Sequence, residues 1–274
     1  MVPSYPFRIK VALAGVIAVI GLLLPPAGPG LAGTSCFGRA PTILGSNGAD
    51  DELVGTPGDD VIHARGGRDW VYGRGGNDRI CGGAGENFVF GEGGNDKLDA
   101  SGGRVTGGPG NDLMKNSDVW FLSSPNGIVV DLADGTARGL GRDRLVNIRD
   151  VVGSKFEDKI RGDASENHFS GLAGADTLDG RGGQDYLSGE TFHPDGEDKF
   201  YGGAGGDFLF GTRGDDRMDG EGGTDQIIFN MNAGGRVNLV TGRATGGGRG
   251  GNDRLFSIEE VIGSIYDDVL IGDD

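Results

Sequence analysis

Residues 55–99 read GTPGDDVIH, ARGGRDWVY, GRGGNDRIC, GGAGENFVF and GEGGNDKLD, which are consecutive units of nine residues. In these units the fourth position is glycine, the sixth is aspartate or asparagine, and the eighth is aliphatic. Self-similarity at a fixed short period indicates a solenoid, in which each repeat packs mainly against its neighbours. This stretch therefore predicts a solenoid fold for the chain.

The same nine-residue period extends over much of the chain. It resumes at Gly107 and returns in a second block from Gly153, where one unit carries an insertion that contains His193. The triplet Asp143-Arg144-Leu145 recurs as Asp253-Arg254-Leu255, which indicates a longer duplication of a block and a β-rich spacer. The predicted organisation is a signal peptide (1–32), an N-terminal cap region (33–54), block 1 (55–115), spacer 1 (116–152), block 2 (153–229), spacer 2 (230–262) and a partial terminal repeat (263–274).

The agreement of glycine, aspartate and apolar positions over many units resembles the Gly-Gly-x-Gly-x-Asp-x-apolar-x repeat of the RTX, or haemolysin-type, calcium-binding family. The resemblance implies an all-β chain that forms a parallel β-roll, a β-helix-like solenoid, with two nonapeptide blocks and β-rich spacers. It also implies Ca²⁺ as the ligand. No segment of the sequence predicts a helix.

The physical chemistry of the repeat agrees with that implication. Positions 7 to 9 form a short strand in which side chains alternate, so position 8 points inward. Two units make one coil, and residues two units apart therefore lie about 4.8 Å apart on neighbouring strands. Carboxylates at position 6 then stack with glycine-turn carbonyls, and such hard oxygens are the ligands that Ca²⁺ takes. The predicted ligands are Asp60, Asp69, Asp78, Asp96, Asp112, Asp158, Asp176, Asp185, Asp198, Asp207, Asp216, Asp225 and Asp268.

Several units depart from the pattern. Asn87 and Asn167 replace the aspartate, so we expect weaker metal sites there. Asp50 belongs to a ten-residue unit and is out of register. On the two edges of block 1, we expect Asp60 to stack with Asp78 and Asp96, and Asp69 to stack against Asn87.

Composition limits the function classes. The chain has 58 glycines among 274 residues and a formal net charge of -16. An acidic chain does not suit nucleic acid or anionic lipid, which attract basic patches, and instead favours cations. His63, His168 and His193 are not at metal-ligand spacing, and no nucleophile elbow is present. The sequence therefore predicts a protein that is not an enzyme.

The N-terminal region has the order of a secretory signal peptide. Arg8 and Lys10 precede the apolar run 11–24, and small residues follow, which predicts cleavage after Ala32 or, as a second option, after Ala27. The run is shorter than the ~20 residues of a membrane-spanning helix, so we expect no membrane span in the mature chain. An uncleaved anchor is the alternative interpretation.

The chain has two cysteines, Cys36 and Cys81. In an oxidising compartment such a pair predicts a disulfide bond. A lipid anchor on Cys36 is the competing interpretation, although the preceding residues lack the expected leucine.

The leading functional prediction is a secreted, calcium-loaded structural or binding module that is largely disordered without calcium. An alternative is a surface adhesin or matrix component that contacts cell-surface or extracellular polysaccharide. Its contact face would use the outward residues Trp70, Tyr72, Phe90, Tyr186 and Phe210. A secreted hydrolase that carries the repeats is the third interpretation.

Overall fold

The computed structural model describes residues 35–189, 196–211, 213–229, 234–246 and 251–272. The predicted signal peptide with both candidate cleavage sites, and His193 in the insertion, lie outside these residues. Within the described ranges all regular secondary structure is β. No helix in this part of the chain is long and apolar enough to cross a membrane.

The strands are short, and most of them have three residues. They are β1 (Ile43–Leu44), β2 (Glu52–Val54), β3 (Val61–His63), β4 (Trp70–Tyr72), β5 (Arg79–Cys81), β6 (Phe88–Phe90), β7 (Lys97–Asp99), β8 (Arg104–Thr106), β9 (Leu113–Lys115), β10 (Asp118–Trp120), β11 (Val129–Asp131), β12 (Thr136–Arg138), β13 (Arg142–Val146), β14 (Asp150–Val152), β15 (Lys159–Arg161), β16 (His168–Ser170), β17 (Thr177–Asp179), β18 (Tyr186–Ser188), β19 (Lys199–Gly205), β20 (Phe208–Gly211), β21 (Arg217–Gly223), β22 (Gln226–Phe229), β23 (Arg236–Asn238), β24 (Arg243–Thr245), β25 (Asn252–Phe256), β26 (Glu260–Ile262) and β27 (Val269–Ile271).

The strands form two sheets, of 16 and 11 strands, that face each other across one narrow core. In block 1, successive strands along the chain alternate between the sheets, so β3 pairs with β5 and β4 pairs with β6, in parallel. Ile62 is in register with Ile80, and Val71 is in register with Val89. The predicted parallel β-roll, with two units in each coil, is confirmed.

The side chains at position 8 of the units in the two blocks fill the core, whereas Leu270 at position 8 of the terminal repeat is 49% exposed. Strand alternation turns the position-8 residues of the blocks inward, while positions 7 and 9 point mainly outward. The position-8 residues are at most 3% exposed; they are Ile62, Val71, Ile80, Val89, Leu98, Met114, Ile160, Phe169, Leu178, Leu187, Phe200, Leu209, Met218 and Ile227. Each coil thus buries only two of these side chains, and the remaining stabilisation has to come from the turns.

The segments predicted as spacers contribute strands to the same solenoid. In the first, β13 pairs with β9 of block 1, and β11 pairs with β15 of block 2. Between them β12 pairs antiparallel with both neighbours, so a meander is inserted into the 16-stranded sheet. In the second, β23, β24 and β25 repeat this arrangement. The antiparallel meanders interrupt the sequence period without breaking the sheet.

Cys36 and Cys81 form a disulfide bond, with their Cα atoms 5.6 Å apart. The predicted bond is confirmed, and it ties the N-terminal region to β5. Because its sulfur is engaged in this bond, Cys36 is not free to carry a lipid.

Candidate metal centre

The position-6 aspartates lie in the turns, directly before the strands. Packing of turn upon turn removes their side chains from water, and all the predicted ligands except Asp268 are at most 6% exposed. Asp268 is half-buried. Buried carboxylates at this density require compensating partners, because an unpaired buried charge is strongly unfavourable.

Hydrogen bonds link these side chains into ladders along the solenoid. The backbone N–H of Asp60 donates to Oδ1 of Asp78 at 2.8 Å, and the N–H of Asp78 donates to Oδ1 of Asp96 at 2.9 Å. On the opposite edge, the N–H of Asp69 donates to Oδ1 of Asn87 at 3.0 Å. Both predicted stacks are therefore present, and each carboxylate has one oxygen occupied by the preceding coil.

Block 2 has two such ladders. One runs through Asp158, Asp176, Asp198 and Asp216, and the other runs from Asn167 through Asp185, Asp207 and Asp225; each step is a backbone N–H donating to the next side chain at 2.8–2.9 Å. The insertion before Asp198 leaves that residue in register. The ladders bring the predicted ligands of the block into two columns, one on each edge of the solenoid.

The second carboxylate oxygen is the unusual feature of these turns. Among the described residues, the following Oδ2 atoms are buried and have no hydrogen-bond partner: those of Asp69, Asp78, Asp96, Asp112, Asp176, Asp185, Asp207, Asp225 and Asp253. Buried polar atoms in proteins are nearly always hydrogen-bonded, so a repeated exception needs an explanation. A column of orphaned anionic oxygens is what a row of bound cations would satisfy.

The electrostatics of the columns agree with this interpretation. Burial, together with the nearby carboxylates of Asp198 and Asp158, raises the pKa of Asp176 to about 8. Burial likewise raises the pKa of Asp112 and of Asp185 to about 7. Without a counter-charge, these carboxyls therefore resist ionisation.

The amide of Asn87 marks the backbone carbonyls that could bind a metal ion together with the carboxylate at position 6. Its Nδ2 atom donates to the carbonyl oxygens of Gly83 and Gly85, at 3.2 Å each. The carbonyls at positions 2 and 4 thus converge on the position-6 side chain of their own turn, and a group with positive character lies between them. In an aspartate turn, a cation at that place would meet the carboxylate together with both carbonyls.

The backbone at position 4 and its close approach to the preceding coil explain why this position is glycine. The backbone of Gly94 has φ +134°, and a Cβ atom there would lie 1.7 Å from the carbonyl oxygen of Gly76 in the preceding coil. The turn carbonyl of one coil therefore points at the next coil across a gap that no side chain can enter. This close approach brings the oxygens of neighbouring turns together.

No three His, Cys, Asp or Glu side chains of the described part of the chain converge as a metal-binding set. A metal held here takes much of its coordination from backbone carbonyls, one carboxylate being available in each turn. Six to eight hard oxygens are the ligand set of Ca²⁺, whereas Zn²⁺ prefers sulfur and nitrogen. The donors present fit calcium, whose two positive charges would neutralise the orphaned oxygens.

A family model of the RTX calcium-binding nonapeptide repeat matches the sequence in four copies, at residues 45–80, 75–106, 152–191 and 195–228. The chain belongs to this RTX family. No curated protein matches the chain. The RTX matches cover most of both nonapeptide blocks, so the resemblance stated from the sequence is confirmed, and the repeats imply Ca²⁺ as the ligand.

The structure adds ladder residues that the sequence interpretation missed, and three of them lie in the segments predicted as spacers. Asp143 accepts from the N–H of Asp112, Asp253 accepts from the N–H of Asp216, and Glu259 accepts from the N–H of Asp225, at 2.9–3.0 Å. The sequence could have indicated Asp143 and Asp253. Each stands two residues before a buried leucine, as the aspartate at position 6 stands two residues before the apolar position 8 in the nonapeptide.

Asp51 occupies the ladder position in the ten-residue unit, and Asp50 does not. The N–H of Asp51 donates to Oδ1 of Asp69 at 2.8 Å, which places Asp51 one coil before Asp69. Asp50 instead accepts from the N–H of Arg68 at the surface. The expectation that Asp50 is out of register agrees with this arrangement.

Proposed function

We propose that the protein is a secreted calcium-binding module whose β-roll folds when Ca²⁺ binds and which acts outside the cell as a structural or binding element. The observation that carries the proposal is the column of buried, unpartnered Oδ2 atoms. Since the core takes only two position-8 side chains from each coil, binding free energy at the turns becomes folding free energy.

Two further features support an extracellular location. The disulfide between Cys36 and Cys81 is typical of proteins in oxidising compartments. RTX calcium-binding repeats, which match this chain in four copies, are also typical of extracellular proteins.

The direct test is far-UV circular dichroism of the full, disulfide-bonded chain during a calcium titration from chelator. We expect strand content to rise steeply with calcium and to stay low with the same concentration of magnesium, because Mg²⁺ requires a tighter octahedral set. Strand content that is independent of calcium would refute the proposal.

A second candidate function is binding of extracellular polysaccharide, and a cavity on the outer face of the 11-stranded sheet favours it. The cavity has a volume of about 410 Å³. Trp120 and Phe210 stand at its two ends, and Ser170 and Ser188 lie in register between them. Aromatic rings and hydroxyl groups together suit an uncharged sugar chain, and the acidic chain disfavours a polyanionic one.

The other aromatic residues predicted as a contact face are packed against one another. Trp70 stacks on Phe88 with ring centroids 4.4 Å apart, and Tyr72 stacks on Phe90 at 5.1 Å. Their faces are therefore partly covered by neighbouring rings. Trp120 also has a neighbour over its ring, the guanidinium of Arg104 at 4.8 Å, but it lines the cavity, whereas Trp70 does not. Trp120→Ala and Trp70→Ala therefore form a matched pair of variants inside and outside the cavity.

The polysaccharide test measures retention of the calcium-loaded chain on insoluble neutral glucans and on cell-wall fractions. The candidate function predicts that Trp120→Ala lowers retention several-fold while Trp70→Ala leaves it unchanged. Equal retention of both variants and the wild type would remove this candidate.

The proposal includes no catalytic activity. His168, which lies in the cavity, contacts Asp150 through Nδ1 at 2.9 Å and Glu166 through Nε2 at 3.0 Å. With both ring nitrogens engaged by carboxylates, this imidazole has no nitrogen available to act as a general base. A screen of the calcium-loaded chain against polysaccharide, ester and peptide substrates is expected to show no turnover.

A further inference from the structure

The nonapeptide turns whose position 2 lies within the described residues fall into two classes that differ at that position. In the first class the carboxylate is closed off by its own turn. The N–H and the hydroxyl of Thr56 donate to Oδ2 of Asp60 at 2.5 and 2.8 Å. The N–H of Ser154 donates to Oδ2 of Asp158 at 2.6 Å, and its hydroxyl donates to Oδ1 at 2.8 Å.

Ser264 and Asp268 repeat this arrangement, with the N–H of Ser264 donating to Oδ2 at 2.6 Å. None of these three carboxylates has an orphaned oxygen. We call these closed turns.

In the second class the Oδ2 atom is orphaned, and position 2 has a left-handed backbone. The position-2 residues of the nonapeptide turns with orphaned oxygens are Arg65 (φ +76°), Arg74 (+75°), Glu92 (+67°), Gly108 (+98°), Leu172 (+72°), Arg181 (+69°), Gly203 (+105°) and Glu221 (+64°). A left-handed residue is strained unless it is glycine, so its recurrence at arginine, glutamate and leucine indicates a functional constraint. We call these open turns.

The two asparagine turns belong to different classes. Asn87 lies in a turn of the open type, since Gly83 has φ +80°, and its amide fills the space between the turn carbonyls. Asn167 lies in a turn of the closed type, because its Oδ1 accepts from the N–H of Asp163 at position 2, at 2.9 Å. The residue type at position 6 therefore does not determine whether a turn is open or closed.

Closed turns stand at the start of the long ladders. Asp60 precedes Asp78, Asp158 precedes Asp176, and Asn167 precedes Asp185. The first oxygen of such a side chain can still accept from an earlier coil, since the N–H of Ile128 donates to Oδ1 of Asp158 at 2.8 Å. The donors at position 2 occupy the second oxygen, Oδ2, and hold the turn in shape.

We infer that calcium enters only the open turns, and that the closed turns are metal-independent starting turns on which the calcium-dependent coils are built. Asp60, Asp158 and Asp268, which the sequence places among the ligands, then hold no ion through their carboxylates. Position 2 decides the class. A residue there without a positive φ donates its N–H to the carboxylate, and a left-handed residue leaves the oxygen to a cation. The inference rests on the proposed calcium binding.

The decisive experiment compares Asn87→Asp with Asn167→Asp in the full, disulfide-bonded chain. Isothermal titration calorimetry with calcium chloride measures the number of ions bound by each. Asn87→Asp removes the amide from an open turn, and we expect about one more bound calcium ion per chain than in the wild type. Asn167→Asp keeps its closed backbone, and we expect the wild-type number.

Each outcome of this comparison has a distinct meaning. An equal gain in both variants, or a gain in neither, would overturn the inference while leaving the calcium-binding proposal intact. A wild-type chain that binds no calcium would instead refute the proposed function itself.

A second matched pair of variants tests the same inference through the loss of a bound calcium ion. Asp176→Asn and Asp158→Asn lie in adjacent coils of one ladder and make the same chemical change. We expect Asp176→Asn to bind fewer calcium ions than the wild type and Asp158→Asn to bind the same number. Circular dichroism at saturating calcium verifies that both variants are folded, and equal losses would contradict the inference.

Discussion

The two nonapeptide blocks share one repeat but differ in how their edges are stabilised. Block 1 has one long ladder, through Asp78, Asp96 and Asp112. On its other edge the ladder reaches Asn87, whose amide donates to the carbonyls of its own turn. Block 1 also contains one end of the disulfide. Block 2 has long ladders on both edges and no disulfide. The comparison shows that one repeat can have different edges: an asparagine amide and a disulfide bond reinforce block 1, whereas long ladders with orphaned carboxylate oxygens run along both edges of block 2.

The largest expected effect is that of calcium removal, and it should differ between the blocks. As calcium is lowered with a chelator, residues 153–229 should lose amide protection at a higher calcium concentration than residues 55–115. Each block has four described nonapeptide turns with an orphaned Oδ2 atom, but only block 1 is also held by the disulfide bond and by the Asn87 amide. Hydrogen exchange followed by mass spectrometry of peptides measures both blocks in one sample. Loss of amide protection in both blocks at the same calcium concentration would contradict this expected difference.

Removal of the disulfide should act on block 1. The double variant Cys36→Ser with Cys81→Ser opens a loop that spans 45 residues of sequence. Constraint of such a loop contributes about 4 kcal/mol by the chain-entropy estimate. At saturating calcium, we expect denaturant unfolding monitored in block 1 to shift to lower denaturant, while block 2 unfolds as in the wild type.

A single methyl group tests the close approach of neighbouring coils. Gly94→Ala places a Cβ atom against the carbonyl of Gly76 and strains a left-handed backbone, so we expect a destabilisation on the order of 1–3 kcal/mol. Gly93→Ala is the control, because the nearest atom to a Cβ atom there is 3.6 Å away. Thermal unfolding at fixed calcium compares the two, and equal midpoints would contradict the role of position 4.

Acid should partly replace calcium, and this is the smallest expected effect. The folded chain keeps protons on Asp112, Asp176 and Asp185, whose pKa values are raised to about 7 or 8, at pH values where the unfolded chain has lost them. The free energy of unfolding of the metal-free chain therefore falls as the pH rises from about 4 to about 8. We expect more strand content in chelator at pH 5 than at pH 8, and the opposite trend would contradict the assignment.

Much of the fold follows from the sequence, because strand alternation and a nine-residue period fix which residues face inward. Ile62, Ile80 and Leu98 could be placed in register from their spacing alone. The antiparallel meander of β11, β12 and β13 could not, since it interrupts the period that carried the prediction. For the same reason Glu259 was not found, because a glutamate outside the repeat takes the place of an aspartate.

The candidate site was predictable in its residue types but not in its two classes of turn. Position 6 identifies the carboxylates, and burial then follows from stacking. The left-handed backbone of Arg74 or Leu172 cannot be predicted from residue type, because these side chains ordinarily avoid that conformation. Whether a carboxylate oxygen is closed or open depends on that backbone, so only the structure separates Asp60 from Asp78.

The central claim is that cations occupy the space beside the orphaned oxygens. A crystal structure of the chain grown in excess calcium, with anomalous diffraction to identify the ions, tests it most directly. The account predicts calcium ions coordinated by Oδ2 of Asp78, Asp96 and Asp176 together with turn carbonyls of adjacent coils. Turns that remain free of ions in that crystal, with these oxygens still unpartnered, would contradict it.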